Sequence, residues 1–237
     1  MLGYYMQFAD LGINADILDI NSVSSEELSG FDIIVLPSDP FYKLIKNESF
    51  EKNILEYVKN GGKVFAGASS EKFEIFGIEA KEHEEDSVLW KEKITDYSLS
   101  YKAFSGIETA AVFGCGSETA IGRKPLGSGT VYAFGIDMGV GYCERRHKPV
   151  AVRYGRENHY PLTVLDKTVI EDIMCGLGCK NNIERGVERV RFENGLLIIN
   201  HNSYDYALPE KTGRFISTCG YFDGANLPPH HSVFICR

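Results

Sequence analysis

Three kinds of residue in this 237-residue chain could do chemistry, and each needs a particular setting. A serine or cysteine nucleophile of a hydrolase belongs on a strained strand-to-helix elbow, with a histidine to activate it and an acid to orient the histidine. The elbow position here follows Val64–Gly67 and holds Ala68-Ser69-Ser70, with no cysteine and no G-x-S-x-G pattern. Ser69 is one candidate nucleophile; the competing reading is a loop or helix-cap serine. Cys115, between Gly114 and Gly116, is the other. Flanking glycines permit a tight turn around a reactive thiol, and the alternative is a small hydrophobe at a strand end. Glycosidase chemistry needs two carboxylates about 5–10 Å apart in a cleft. Glu84, Glu85 and Asp86 are adjacent, but they sit in the charge run Glu82-His83-Glu84-Glu85-Asp86, which reads as a solvated loop.

Metal and cofactor motifs are incomplete. Cys175 and Cys179 are spaced C-x3-C, and Cys143 with His147 makes C-x3-H; neither pair has the second pair that a four-ligand site requires. The Gly135–Gly141 stretch matches neither a Walker A pattern nor a dinucleotide fingerprint. Tyr142, Arg145, Arg146, His147, Arg153, Arg156 and His159 form a basic–aromatic cluster, suited to a partner-facing loop or to a sugar or acidic ligand. The residues therefore assign no catalytic, cofactor-binding or metal site.

A formal charge of −8 argues against nucleic-acid and anionic-membrane partners, both of which need a basic face. There is no run of 18 apolar residues and no signal peptide pattern. Six cysteines in a chain of this length read as reduced thiols, not a disulfide scaffold, and the expected location is the cytoplasm.

The elements that must position these groups are organised around Ser49–Ser70. Phe50, Ile54, Leu55 and Val58 recur at helical spacing, so Ser49–Asn60 reads as an amphipathic helix stopped at Gly61. The apolar runs Phe31–Pro37 and Lys63–Ala68 read as strands covered on both faces, at the centre of a parallel sheet. With the helix they form a right-handed βαβ unit. Before it come a helix ended by Gly12, a short strand at Ala15–Ile20, and a capping-box pattern at Ser24 and Glu27. Glu71–Ser100 reads as an acidic loop or insertion. Strands are expected at Thr109–Gly114, Thr119–Lys124 and Thr130–Ile136, with Pro125–Gly129 as a turn. Met138–Pro161 reads as a long loop and Leu162–Leu177 as a helix. Beyond a linker at 176–182 the period changes to that of strands, with Asn194-Gly195 as the strongest hairpin signal. That β segment is small enough that it should dock on the first domain.

The ordered set resembles part of a known family. Tyr4-Tyr5 to Gly12, Asp32–Pro37 and Leu55-Glu56-Tyr57-Val58-Lys59-Asn60-Gly61-Gly62 are similar to the middle domain of bacterial β-galactosidases of glycoside hydrolase family 42. Ala120-Ile121 and Gly127-Ser128-Gly129-Thr130-Val131-Tyr132 continue the likeness, and Leu197-Ile198-Ile199-Asn200-His201 resembles the opening of the family's C-terminal β domain.

This resemblance implies an α/β fold, flavodoxin-like or class I glutamine amidotransferase-like, with a mostly parallel sheet flanked by helices and a small C-terminal all-β domain. It implies a trimerisation domain over 1–180, lacking that domain's first strand, and a β domain over 181–237. It also implies that the catalytic barrel of the family is not within this chain. The function expected is non-catalytic oligomerisation and support of a β-galactosidase-type enzyme. Its alternatives are a standalone amidotransferase-like hydrolase using Cys115 or Ser69, and a carbohydrate-binding module. The expected partners are a second or third copy, through Tyr4, Tyr5 or the Tyr142–Tyr160 loop, and a glycoside hydrolase barrel. No cofactor, nucleic acid or membrane is expected.

Overall fold

Helix α2 (Glu48–Lys59) carries the arrangement, and its sequence explains both its ends. The Asn47 side chain accepts the Phe50 N–H at 3.0 Å and caps the first turn. Phe50, Ile54, Tyr57 and Val58 are buried on one face. At the other end Gly61 takes a φ of +112°, a conformation that β-carbon crowding disfavours in other residues. The chain then turns, with Gly62 N–H donating to Tyr57 O at 2.9 Å. The preceding helix α1 (Ser25–Ser29) has the capping box foreseen at Ser24 and Glu27, with both reciprocal hydrogen bonds present.

The computed structural model describes residues 3–5, 8, 13, 15–37, 47–67, 71–84, 87–90, 93–96, 101–114, 116–136, 172, 186–209, 214–219 and 222–236. The chain divides into two compact units, Met1–Tyr4 with Ile17–Val169 and Tyr5–Asp16 with Ile170–Arg237. Residues 3–5 and 8 and Asp172 are helical. Among the described residues no helix is long and apolar enough to cross a membrane.

In the first unit, β1 (Ile34–Leu36) pairs parallel with β2 (Lys63–Ala66), and β2 pairs parallel with β9 (Gly129–Phe134). From β9 the sheet continues antiparallel through β8 (Thr119–Leu126), β7 (Glu108–Phe113), β4 (Ser87–Trp90) and β5 (Lys93–Asp96). Strands β3 (Glu79–His83) and β6 (Tyr101–Ser105) pair with each other, and β6 joins β8. The sheet is therefore mixed, with nine strands among the described residues. The expected parallel character is confined to β1, β2 and β9, because tight hairpins such as β8–β9 reverse the chain and force antiparallel pairs.

Three expectations are corrected. Residues 15–19, expected as a strand, join no ladder among the described residues. Asp19 instead starts a turn, accepting from Val23 N–H through its carbonyl and from Asn21 N–H through its carboxylate. The Phe31 strand is shorter than expected and lies at the end of the sheet order, whereas β2 has a strand on each side. Within the acidic stretch 71–100, expected as a loop or insertion, the described residues form a 3-10 helix (Glu71–Phe76) and strands β3, β4 and β5, so a plain loop is ruled out there. Four of the five residues of β3 are exposed, so its charged text is that of a wet strand.

The core of this unit joins α1, α2 and the sheet through Leu28, Ile54, Val58, Val64, Ala66, Val131 and Ala133. Phe65 packs edge-on against Tyr132 and Phe134, at 5.5 and 5.7 Å between ring centroids. The tip of the β8–β9 hairpin reaches the end of α2. Ser128 N–H donates to Lys59 O at 3.0 Å, giving the helix's last carbonyl a partner, and Thr130 N–H donates to Gly62 O just beyond the helix at 3.2 Å. Gly127 and Gly129 allow this approach, since a β-carbon on either would strike the backbone at Lys59 or Val58.

The second unit contains an antiparallel sheet ordered β10 (Val187–Phe192), β11 (Gly195–Asn200), β15 (Ser232–Cys236) and β13 (Arg214–Cys219). A two-stranded pair, β12 (Tyr206–Ala207) and β14 (Asn226–Leu227), accompanies it. Its core is Val187, Ile198, Leu208, Leu227, Val233 and Ile235. The hairpin is where Asn194-Gly195 predicts it, one residue earlier: Phe192 pairs with Gly195, so Glu193-Asn194 form the turn. Gly195 is needed for space, not for left-handed backbone, because a β-carbon there would meet Ile235 O and the Phe234 ring.

Candidate functional site

Ser69 and Cys115, the nucleophile candidates, both lie outside the described residues, as do Glu85, Asp86, Cys143, Cys175, Cys179 and the Tyr142–Tyr160 loop. What is described is the frame around position 115. Gly114 N–H donates to Ser87 O at 2.7 Å, and Phe113 N–H to Glu118 O at 3.0 Å, closing a short β7–β8 connection. A β-carbon on Gly114 would strike the Ser87 hydroxyl, so the connection is pressed against β4.

Beside it sits a group of charged side chains that the sequence did not single out. Lys81 and His83 alternate along β3 and so share a face. Both reach Glu118: His83 Nδ1 lies 2.7 Å from Oε2, and Lys81 Nζ contacts Oε1. The His83 ring stacks on Phe113, with centroids 4.0 Å apart and planes 17° from parallel. The hydrogen bond from Lys81 holds the Glu118 carboxyl below its usual range against the opposing effect of desolvation, and the charges of Lys81 and His83 add to the lowering. Chemically this is an imidazole oriented by a carboxylate, with that carboxylate engaged at both oxygens. It is poorly suited to act as a free acid or base. The available signal was the i, i+2 spacing of Lys81 and His83, which acquires meaning only once β3 is read as a strand.

Two other places gather polar groups of the kind a ligand would meet. A shallow groove of about 560 Å³ runs along Gly106, Ile107, Glu108, Arg123, Lys124 and Pro125. Arg123 pairs with Glu108 at 3.3 Å and Lys124 donates to Gly77 O, so both cations are engaged within the protein. In the second unit the Asn200-His201 pair is structural. Asn200 is fully buried; its Nδ2 donates toward the carbonyls of Tyr204, Leu227 and Pro228 at 2.8, 2.9 and 3.1 Å. Its Oδ1 accepts from Asn202 N–H at 3.0 Å, and His201 Nε2 lies 3.0 Å from Glu188 Oε2. Among the described residues no three His, Cys, Asp or Glu side chains converge as a metal site. Tyr4, expected at a contact between copies, is only 4% exposed, so its ring is spent inside the chain; Tyr5 is 37% exposed.

The architecture has clear counterparts among solved structures. Over 99% of its length the chain superposes on 36% of the β-galactosidase from Bacillus circulans sp. alkalophilus, with a TM-score of 0.67 and 15% identity. The chain has the fold of about a third of a β-galactosidase. The same holds for Gan42B, a GH42 β-galactosidase from G. stearothermophilus (TM-score 0.64, 14% identity, 99% of this chain and 36% of that one). It holds also for the polyextremophilic β-galactosidase of the Antarctic haloarchaeon Halorubrum lacusprofundi (TM-score 0.64, 15% identity, 99% and 35%). No protein-family model and no curated protein matches the sequence. The chain thus spans about a third of the length of the enzymes it resembles, and the β-galactosidase fold it shares with them includes both of its units.

Proposed function

We propose that the chain is a non-catalytic assembly and support region of a β-galactosidase-type glycoside hydrolase. The observation that carries this reading is the superposition of nearly its whole length on one third of such an enzyme. The site chemistry points the same way. The His83–Glu118–Lys81 group ties β3 to the β7–β8 connection, and its carboxylate is engaged at both oxygens within the fold. In the family that the sequence resembles, the corresponding middle domain trimerises, so the proposed partners are other copies of this chain and a catalytic barrel. A purified chain that cleaves a nitrophenyl galactoside, and loses that activity on one carboxylate substitution, sinks the non-catalytic reading. Light scattering at micromolar concentration is expected to give the mass of two or three copies, and a strictly monomeric mass removes the assembly role.

A further inference from the structure

The chain contains two Asn-Gly dipeptides, Asn60-Gly61 and Asn194-Gly195, and the fold holds them very differently. Both asparagines are exposed. In such a pair the glycine nitrogen can attack the asparagine's own carboxamide carbon, because glycine has no side chain to hinder the approach. The nitrogen must first give up its hydrogen bond. The asparagine ψ must also rotate until that nitrogen and Cγ can close a five-membered ring.

At Asn60 the fold resists both. This residue ends α2 with a ψ of 7°, far from the ring-closing value, and Gly61 N–H donates to Val58 O at 3.0 Å. Gly62 is tied on both sides, its N–H to Tyr57 O at 2.9 Å and its carbonyl to Thr130 N–H at 3.2 Å. Strand β2 begins at the next residue, between β1 and β9, so turning ψ at Asn60 would drag the strand out of its ladders. At Asn194 much less stands in the way. Gly195 and Phe192 are the closing pair of a two-residue hairpin, so the Gly195 N–H is committed to Phe192 O at the very end of the β10–β11 ladder. Across the other ladder Gly195 lies opposite Cys236, by alternation a pair without hydrogen bonds. Residues 191–194 are all exposed, so the turn that has to swing does so into solvent. Fraying of one terminal pair frees the nitrogen.

We propose that Asn194 is a site of spontaneous deamidation in the folded protein, and that Asn60 carries the same chemistry held shut by the fold. Gly195 N loses its proton to solvent and bonds to Asn194 Cγ; the Cγ–Nδ2 bond breaks and ammonia leaves with a proton. Water then opens the resulting imide at either carbonyl, giving aspartate or isoaspartate, so one water is consumed for each ammonia released. Both products place a negative charge beside Glu193. Isoaspartate also lengthens the backbone by one methylene, which a two-residue turn cannot absorb with Phe192 still opposite Gly195. The modification therefore unpicks the hairpin tip and the contact of the Phe192 and Phe234 rings, whose centroids lie 5.8 Å apart.

The test ages the full chain for weeks at neutral pH, folded and in urea, and follows both sites by mass-spectrometric peptide mapping. In the folded chain Asn194 should convert at least about tenfold faster than Asn60, since conversion tracks the population of the opened form. In urea the two rates should come within about twofold of each other, because the local fold no longer distinguishes them. Isoaspartate in the aged folded protein, labelled by an isoaspartyl methyltransferase, should be nearly abolished by Asn194→Ser and unchanged by Asn60→Ser. Equal conversion of the two sites in the folded chain, conversion at Asn60 alone, or none at either overturns the assignment. A tenfold difference that persists in urea overturns the role given to the fold.

Discussion

Replacing Asn200 by alanine tests whether the second unit is held by a polar knot or by its apolar core alone. The side chain has two N–H donors directed at three carbonyls, and its oxygen accepts one backbone N–H. Alanine removes about three hydrogen bonds at a fully buried position. At roughly 1 kcal/mol net each, with a further penalty for the buried Leu227 carbonyl, the loss is about 3–5 kcal/mol. Set against a typical domain stability of about 5–15 kcal/mol, that is enough to leave the unit barely folded. Urea unfolding followed by circular dichroism, with hydrogen exchange of the β11 and β15 amides, reads the effect; opening of those strands should rise by about two decades or more. Asn200→Asp should be worse at neutral pH, where a carboxylate faces carbonyls, and should recover in part as acid protonates it. A loss below about 1 kcal/mol for N200A would refute the reasoning, because the carbonyls would then have found other partners at no cost.

Gly62→Ala should cost about 1–3 kcal/mol by overpacking, since a β-carbon would lie 2.6 Å from Tyr57 Cδ1 and closer still to two other ring carbons; chemical denaturation measures it. Glu118 has its folded pKa lowered from an ordinary 4.5, so its stabilising contribution is complete above that value and is lost as pH falls through the lowered one. The difference in urea midpoint between wild type and Glu118→Gln should therefore be largest near neutrality and vanish in strong acid; a difference that persists unchanged in acid would remove the electrostatic account. All six cysteines should react with a thiol reagent after denaturation without prior reduction, and a protected pair would contradict the reduced-thiol reading.

The parts of the fold legible in the sequence are those where one local rule decides. Ser24 and Glu27 announce their helix start, Phe50 to Val58 their buried face, and Gly61 the stop, because each is fixed within a turn or two of chain. Illegible parts depend on what lies across the sheet. Glu79–His83 alternates charge with charge, and only its pairing with Tyr101–Ser105, through Lys102 and Glu82 at 2.8 Å among others, makes it a strand. Ile17, Leu18 and Ile20 have strand-like side chains, yet Ile17 is 67% exposed and the segment pairs with no strand among the described residues. The Glu118 group failed to register for the same reason: its three members come from two places in the sequence and one place on the sheet.

The hairpin that closes the end of α2 also constrains the order in which the molecule forms. Lys59 and Gly62 wait for Ser128 and Thr130, and β2 waits for β9, while every strand from β3 to β8 lies between them in the chain. Closing so long a loop costs entropy before any contact repays it, whereas the antiparallel hairpins need only short closures. The meander of β7, β8 and β9 should therefore gather first, and α2 with β1 and β2 should settle onto it late. A chain interrupted just before Gly129 would hold α2, β1 and β2 without the strand that joins them to the rest of the sheet, the condition in which nascent chains become clients of chaperones.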